Sequence, residues 1–188
     1  MYKRQLTRHG GTFKGYFKDE KSTREVIDEE GWLHTGDVGE ITERGSLIIT
    51  DRKKDIIMTS GGKNVSPSEI ENKIKASPFI KDALVVGDRR KFLSCLVAIE
   101  FETVSNWALR KKIPFTTYRD LTEKSEVREL VSKEIIRANE ETSSLQVRKF
   151  ELIPKELDHE DGELTATQKI KRNVIIEQFS ELVESMYK

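Results

Sequence analysis

The sequence predicts an α+β fold, in which a three-stranded sheet flanked by helices follows a short antiparallel β meander. Two apolar runs, Ile80 to Val86 and Leu93 to Phe101, are joined by a charged turn and are typical of paired strands in a sheet core. Phe150 to Ile153, ended by Pro154, adds the third strand. Lys124 to Ser144 carries apolar residues at helical spacing and therefore predicts a helix with one buried face.

The meander is predicted between Trp32 and Thr50. Its first apolar run ends in a Thr-Gly-Asp corner at Asp37, and a hairpin then turns at Glu43 to Gly45. A meander of so few strands cannot bury both faces of its sheet by itself. We therefore expect it to pack against a further part of the protein. The preceding residues, Met1 to Lys14, are basic and lack an apolar period, and we expect a frayed end or a cut strand there.

The remaining elements follow from caps, prolines and spacing. Ile56 to Met58 predicts a short strand, and Lys155 to Glu163 predicts an acidic loop. The other predicted helices are a turn from Glu20 to Ile27, a helix that Asn64 or Ser66 caps and Pro67 opens, Thr103 to Lys111, and Arg172 to Tyr187.

Composition excludes several classes of function. Charged residues make up 35% of the 188 and balance to a formal charge of zero, so no global field favours nucleic acid. No apolar run approaches the roughly 20 residues of a membrane span, and no signal-peptide core is present, so we expect a cytoplasmic protein. The single cysteine, Cys95, is expected to be a buried strand residue. No metal site is predicted, because the histidines are scattered: His9, His34 and His159.

Two stretches carry a family resemblance. Gly31 to Glu71 reads GWLHTGDVGEITERGSLIITDRKKDIIMTSGGKNVSPSEIE, and Gly162 to Arg172 reads GELTATQKIKR. Both resemble core motifs of the adenylate-forming superfamily of acyl-CoA synthetases, adenylation domains and luciferases, and they are most similar to long-chain fatty acid CoA ligases. The resemblance runs from about Gly15 onward but covers only the end of the family's usual length. It implies that residues 1–53 are the remnant of a large AMP-binding domain and residues 54–188 a C-terminal lid domain.

The first stretch contains candidate nucleotide ligands and a hinge. The Asp37 carboxylate can accept hydrogen bonds from both hydroxyls of a ribose, or else bond its own backbone in a turn. Arg52 offers a fork of donors to ribose or phosphate oxygens, and the alternative is a basic residue in a charged linker. The resemblance implies that Arg52 contacts the ribose and that Lys54 is the hinge between the domains. Lys53 is the competitor for the hinge position.

The glycines that follow are candidates for the thioester-forming step. Gly61 and Gly62 allow backbone angles that other residues avoid. The resemblance implies that their turn enters the active site beside the pantetheine thiol of CoA, where a side chain would obstruct it. The alternative is a plain turn before a helix. Lys63 is a candidate phosphate contact, or a lysine that meets only water.

Lys169 is the predicted catalytic residue. The resemblance implies that it reaches the α-phosphate and the acyl carboxylate, where an ammonium offsets the charge that develops. The sequence departs from the common family form, since Ala166 stands where a proline is usual and Thr167-Gln168 where Ser-Gly is usual. This departure favours the long-chain branch. The alternatives are a basic cluster at a helix entrance and, by spacing, Lys171.

The implied reaction joins a fatty acid to ATP, giving acyl-adenylate and pyrophosphate, and then transfers the acyl group to CoA with release of AMP. Mg²⁺ would enter with ATP. The expected partners are these substrates and the protein's own N-terminal domain, and peripheral membrane association of the longer protein is left open. The chain alone is expected to be inactive, because it lacks a phosphate-binding loop and an acyl pocket. The alternatives are activation of another carboxylate and a non-catalytic interaction module of the same fold.

Overall fold

The computed structural model describes residues 3–142 and 145–188, which divide into two compact units, Met1–Ile56 and Ile57–Lys188. The predicted start at Met1 and the predicted helix end at Ser144 lie outside the described residues. In the described part of the chain, no helix is both long enough and apolar enough to span a membrane.

The first unit contains the predicted antiparallel meander. Its sheet has the order β1-β2-β3, so the basic N-terminal segment pairs with the first strand of the meander. The middle strand packs Val38 inward, whereas Leu47, Ile48 and Ile49 on the third strand are about half exposed. The elements are β1 (Lys3–Thr7), α1 (Glu20–Val26), β2 (Leu33–Ile41), β3 (Leu47–Arg52) and a 3₁₀ turn at Lys53–Asp55.

The second unit is built on a mixed sheet of order β6-β7-β8, in which β6 and β7 are antiparallel and β7 and β8 are parallel. Its strands are β4 (Ile57–Met58), β5 (Asn64–Val65), β6 (Ile80–Val86), β7 (Leu93–Ile99) and β8 (Val147–Leu152). Its helices are α2 (Pro67–Ile74), α3 (Phe101–Arg110), α4 (Tyr118–Thr122), α5 (Ser125–Glu140), α6 (Arg172–Gln178) and α7 (Ser180–Ser185).

Strands β6 and β7 carry buried side chains on both faces of the sheet. Alternate side chains of a strand point to opposite faces. Val85 and Cys95 belong to the core formed with α2, α3 and α5, whereas Leu84 and Leu96 belong to the core formed with α6 and α7. The predicted α+β class is therefore confirmed, with helices on both sides of a three-stranded sheet. Cys95 is buried, and this burial raises the pKa of its thiol.

Several predicted boundaries were wrong. The second strand ends at Ile99 because Phe101 already begins α3. The predicted final helix is two helices, broken at Phe179, whose buried ring packs into the core at the point where the backbone leaves helical angles. The third strand begins at Val147 rather than at Phe150, where the sequence predicts its start. Of the two predicted caps for α2, Ser66 occupies the N-cap position, and the other residue, Asn64, lies in β5.

Candidate functional site

Asp37 and Arg52 are brought together by strand pairing. They are register partners across β2 and β3, which places both side chains at the same point of the ladder. Arg52 Nη1 donates to Asp37 Oδ1 at 2.8 Å and to the Thr35 carbonyl at 2.9 Å. Both side chains remain partly exposed, so one carboxylate and one guanidinium face solvent side by side. This arrangement offers acceptors and donors to a polar ligand such as a sugar with adjacent hydroxyls.

An open pocket of about 400 Å³ lies beside this pair, entirely within the first unit. Its size falls in the range of small-molecule sites, roughly 300–1,000 Å³. The lining residues come from the end of α1, from β2, from the end of β3 and from the 3₁₀ turn: Val26, His34, Thr35, Gly36, Arg52, Lys53 and Lys54.

Lys54 lies in the 3₁₀ turn that ends immediately before Ile56, the last residue of the first unit. A few residues at such a position can absorb a rotation between domains. Lys53 occupies the same turn, is equally exposed and also lines the pocket. Both candidates for the hinge therefore lie in the turn that precedes the boundary between the units.

Gly61 and Gly62 form a turn between β4 and β5. The Gly62 amide donates to the Thr59 carbonyl at 2.9 Å, and the Thr59 amide donates to the Lys63 carbonyl at 3.0 Å. Gly62 has a φ of +75°, a conformation that favours glycine. A Cβ built on Gly61 would come no closer than 4.0 Å to Thr59 Oγ1, and one built on Gly62 would meet nothing within 4 Å. The turn therefore presents bare backbone with open space around it.

The glycine turn is fixed to the turn between β6 and β7. The Ser60 amide donates to the Arg90 carbonyl at 2.9 Å, and the Arg89 amide donates to the Met58 carbonyl at 2.7 Å. The Met58 amide donates to Asp88 Oδ1 at 3.1 Å. Because Met58 and Ser60, on the N-terminal side of the glycines, are bonded to the turn between β6 and β7, the glycine turn is held in place although its tip is exposed.

Lys169 lies on a tight hairpin that is closed by the pairing of Leu164 with Ile170. The Thr165 amide donates to the Lys169 carbonyl at 2.8 Å, and the Lys169 amide donates to Thr165 Oγ1 at 3.0 Å. Gln168 has a φ of +60°, in the left-handed region where the common family form has glycine. The Lys169 side chain is exposed, and no carboxylate among the described residues lies within ion-pair distance of it.

The base of this hairpin rests on a buried carboxylate. Glu163 is fully buried, accepts the Asp158 amide at 2.8 Å and pairs with Lys155 Nζ at 2.9 Å. Lys155 also pairs with Asp161. Burial by itself would lower the pKa of Lys155, but the hydrogen bonds that its ammonium donates to Asp161 and Glu163, together with their negative charges, outweigh burial and raise the pKa. Lys155 is thus engaged as a charged anchor, whereas the Lys169 ammonium remains available to a ligand.

Sequence reasoning missed the contact between Glu71 and Arg172. The Arg172 Nη2 to Glu71 Oε1 distance is 2.7 Å, although the residues are 101 positions apart. Both belong to the stretches that carry the family resemblance, yet nothing in the spacing pairs them. One signal for this contact was available in the sequence. Glu71 lies on the face of a helix that Ile70 and Ile74 otherwise line, and a buried carboxylate needs a partner.

The fold and these loops define the C-terminal domain of an AMP-binding enzyme. Residues 54–188 match the family described as AMP-binding enzyme C-terminal domain. This match covers well over half of the chain, and the chain belongs to that family. Among the described residues, no group of three or more His, Cys, Asp and Glu side chains could hold a metal ion.

Curated relatives extend the match to nearly the whole chain. It is 38% identical over 184 residues to the long-chain-fatty-acid CoA ligase FadD15 of Mycobacterium tuberculosis, covering 97% of this chain and 30% of that protein. It is 34% identical over 194 residues to the long-chain-fatty-acid CoA ligase ACSBG1 of Homo sapiens, covering 93% of this chain and 27% of that protein. The chain therefore spans about 30% of the length of the curated relatives it matches.

Solved structures share the fold. The adenylation domain of a carboxylate reductase from Mycobacterium chelonae aligns with a TM-score of 0.81 at 23% identity, covering 99% of this chain and 28% of that chain. The A domain of a carboxylic acid reductase from Segniliparus rugosus, in complex with AMP and a co-purified carboxylic acid, aligns with a TM-score of 0.79 at 23% identity. That alignment covers 99% of this chain and 28% of that one.

Proposed function

We propose that this chain is the C-terminal part of an AMP-forming ligase that activates a long-chain fatty acid with ATP and transfers it to CoA. The observation that carries the proposal is the Lys169 hairpin, which holds an exposed ammonium without a carboxylate partner among the described residues. The 38% and 34% identities to proteins named long-chain-fatty-acid CoA ligases support the choice of acid and acceptor. The proposed boundary between the remnant of the large domain and the lid domain is at residues 53 and 54, where the family match begins.

In the first half-reaction, a carboxylate oxygen of the fatty acid attacks the α-phosphorus of ATP, and the bond to pyrophosphate breaks. The Lys169 ammonium offsets negative charge shared between the carboxylate and the α-phosphate as that bond forms. Asp37 accepts hydrogen bonds from the ribose hydroxyls, and Arg52 both orients the carboxylate and donates to the nucleotide. Mg²⁺ enters as the counter-ion of ATP rather than through a site in this chain.

In the second half-reaction, the CoA thiol attacks the acyl carbonyl and AMP leaves. The proposed role of Gly61 and Gly62 is to let backbone approach the pantetheine chain closely, since neither carries a side chain and the space around them is open. Lys63, exposed beside them, is the proposed phosphate contact. Lys54 is the proposed hinge that brings first the hairpin and then the glycine turn to the reacting atoms.

A second candidate is a ligase or reductase for another carboxylate. The carboxylic acid reductase domains favour it, because they share this fold and are named for reductases rather than for long-chain fatty acid ligases. In our proposal the acid is chosen by an acyl pocket outside this chain. We place the whole protein in the cytoplasm, with peripheral membrane association as a further element of the proposal.

The test uses the full-length protein and the 188-residue chain in parallel. We expect the full-length protein to catalyse palmitate-dependent ATP–pyrophosphate exchange and palmitoyl-CoA formation, and the isolated chain to catalyse neither. Exchange that responds to an aryl or amino acid but not to palmitate would favour the second candidate. No exchange with any acid would favour an interaction module. Pyrophosphate release by the isolated chain would contradict its dependence on a larger domain.

A further inference from the structure

Glu71 and Arg172 form a largely buried ion pair at one edge of the mixed sheet. Their side chains are only 10% and 20% exposed, and Arg172 Nη2 lies 2.7 Å from Glu71 Oε1. The pair also contacts the backbone of Val85 in β6. The Val85 amide donates to Glu71 Oε1 at 2.7 Å, and Arg172 Nη1 donates to the Val85 carbonyl at 2.9 Å.

These contacts replace a missing neighbouring strand. β6 is an edge strand, and its Val85 pairs with Cys95 of β7 on one side. An edge strand leaves backbone donors and acceptors that must find partners when buried. One carboxylate and one guanidinium satisfy both backbone groups of Val85, and each also neutralises the other. The pair is therefore bound to the sheet at a fixed point.

The same pair connects the two loops of the proposed site. Glu71 lies on α2, which follows directly after the strand that leaves the glycine turn. Arg172 is the first residue of α6 and lies three positions after Lys169. The C-terminal end of β6 leads into the turn between β6 and β7. That turn holds the glycine turn through hydrogen bonds with Met58 and Ser60. The hairpin is thus attached to the edge of β6 through Arg172, and the glycine turn is attached to the turn that follows β6 and, through α2 and Glu71, to the same edge.

We propose that Glu71 and Arg172 are a positioning pair that fixes the Lys169 hairpin relative to the glycine turn, so that both loops move as one body. Neither residue touches the reacting atoms in this proposal, and the pair acts through Lys169 and through the backbone of Gly61. The inference rests on the proposed function for its catalytic consequence. The structural coupling itself can be measured without any activity.

The opposite edge of the sheet supplies a matched control. There Arg128 Nη1 lies 2.8 Å from Glu151 Oε2, and Arg128 Nη2 donates to Glu151 Oε1 and to the Phe150 carbonyl of β8, both at 3.0 Å. This pair has the same chemistry, an arginine that holds a carboxylate and a backbone carbonyl of an edge strand. It adjoins neither loop, and it is more exposed, at 49% and 28%.

The experiment compares Glu71→Gln and Arg172→Lys with Glu151→Gln and Arg128→Lys in the full-length protein. We expect Glu71→Gln to lower kcat in both half-reactions by roughly 10- to 100-fold, with the KM for ATP nearly unchanged, because misplacement of a catalytic group acts on the rate. Arg172→Lys, which keeps the charge, should retain part of the activity. The double variant Glu71→Gln/Arg172→Lys should lose little more than the worse single variant. The control variants should stay within about twofold of the unchanged protein.

A second readout separates this inference from the proposed function. Amide exchange of Lys169 and Lys171 in the 188-residue chain should accelerate in Glu71→Gln and not in Glu151→Gln. If amide exchange is faster in Glu71→Gln but Lys169→Ala retains full enzymatic activity, the proposed function is overturned and the coupling is still supported. Unchanged exchange, or a loss confined to one half-reaction, or equal losses in the control variants, would overturn the positioning pair while leaving the proposed function in place.

Discussion

The glycine turn and the Lys169 hairpin are two exposed loops of the same compact unit, and they are built in opposite ways. Around Gly61 and Gly62 the chain has no side chain to place, and a Cβ there would meet open space. The hairpin instead holds the backbone from which one long side chain extends, because Thr165 is hydrogen-bonded to both the amide and the carbonyl of Lys169. A bare loop suits close approach to a bulky substrate, whereas a lysine on a fixed backbone suits the placement of one charge. The difference predicts that damage to each loop affects a different step.

The largest effect is expected from Lys169→Ala in the full-length protein. Losing one electrostatic stabiliser of the transition state typically costs 100- to 1,000-fold, so ATP–pyrophosphate exchange should fall by about that factor. Lys171→Ala is the matched control, because Lys171 is an equally exposed lysine two positions away. If Lys171→Ala slows exchange as much as Lys169→Ala, the hairpin supplies general positive charge rather than one placed ammonium.

A smaller effect is expected from Gly61→Leu, measured as thioester formation from synthetic acyl-adenylate and CoA. The new side chain has room within this chain, so the protein should fold normally while the approach of the thiol is obstructed. We expect a loss of roughly 10- to 100-fold, as for a misplaced reacting group. Gly10→Leu is the control, since that glycine is exposed and also has no atom within 4 Å of a built Cβ. An unimpaired Gly61→Leu variant would exclude close contact between this turn and the thiol.

Strands β6 and β7 could be predicted because their side chains decide the pattern locally. Ile80–Val86 is found where the sequence predicts it, since its residues from Ala83 to Val86 are all buried and form a continuous apolar run. The first strand, Lys3–Thr7, has no such run, and its pairing with β2 therefore leaves no apolar pattern in the sequence. The helix break at Phe179 could not be predicted either. An apolar residue at a helix break fits the same sequence pattern as a buried residue within a helix.

The candidate site was predictable where neighbours in the ladder bring residues together. Asp37 and Arg52 sit opposite each other, as a hairpin between them allows, although their binding of a nucleotide stays a prediction. The Glu71 to Arg172 contact could not be predicted, because it depends on how α2 and α6 both reach the edge of β6. Tertiary contacts of this kind leave no periodic trace in the sequence.

The smallest predicted effect concerns the stiffness of the hairpin. Gln168→Gly should relieve the left-handed backbone conformation, which costs a non-glycine residue about 1–2 kcal/mol, offset in part by the 0.5–1 kcal/mol entropic cost of glycine. We therefore expect amide exchange of Lys169 to slow several-fold at most. Lys112→Gly is the control, because Lys112 has a φ of +59° outside the hairpin and should leave Lys169 exchange unchanged. Faster exchange in Gln168→Gly would mean that the glutamine itself holds the turn.

The contrast between the loops is tested most directly by measuring both half-reactions in both variants of the full-length protein. Pyrophosphate exchange reports adenylation, and thioester formation from supplied acyl-adenylate reports the second step. The account predicts a crossed result, in which Lys169→Ala loses exchange but keeps thioester formation, and Gly61→Leu keeps exchange but loses thioester formation. Equal losses of both activities in both variants would contradict it, because they would indicate misfolding or a single static site rather than two loops used in turn.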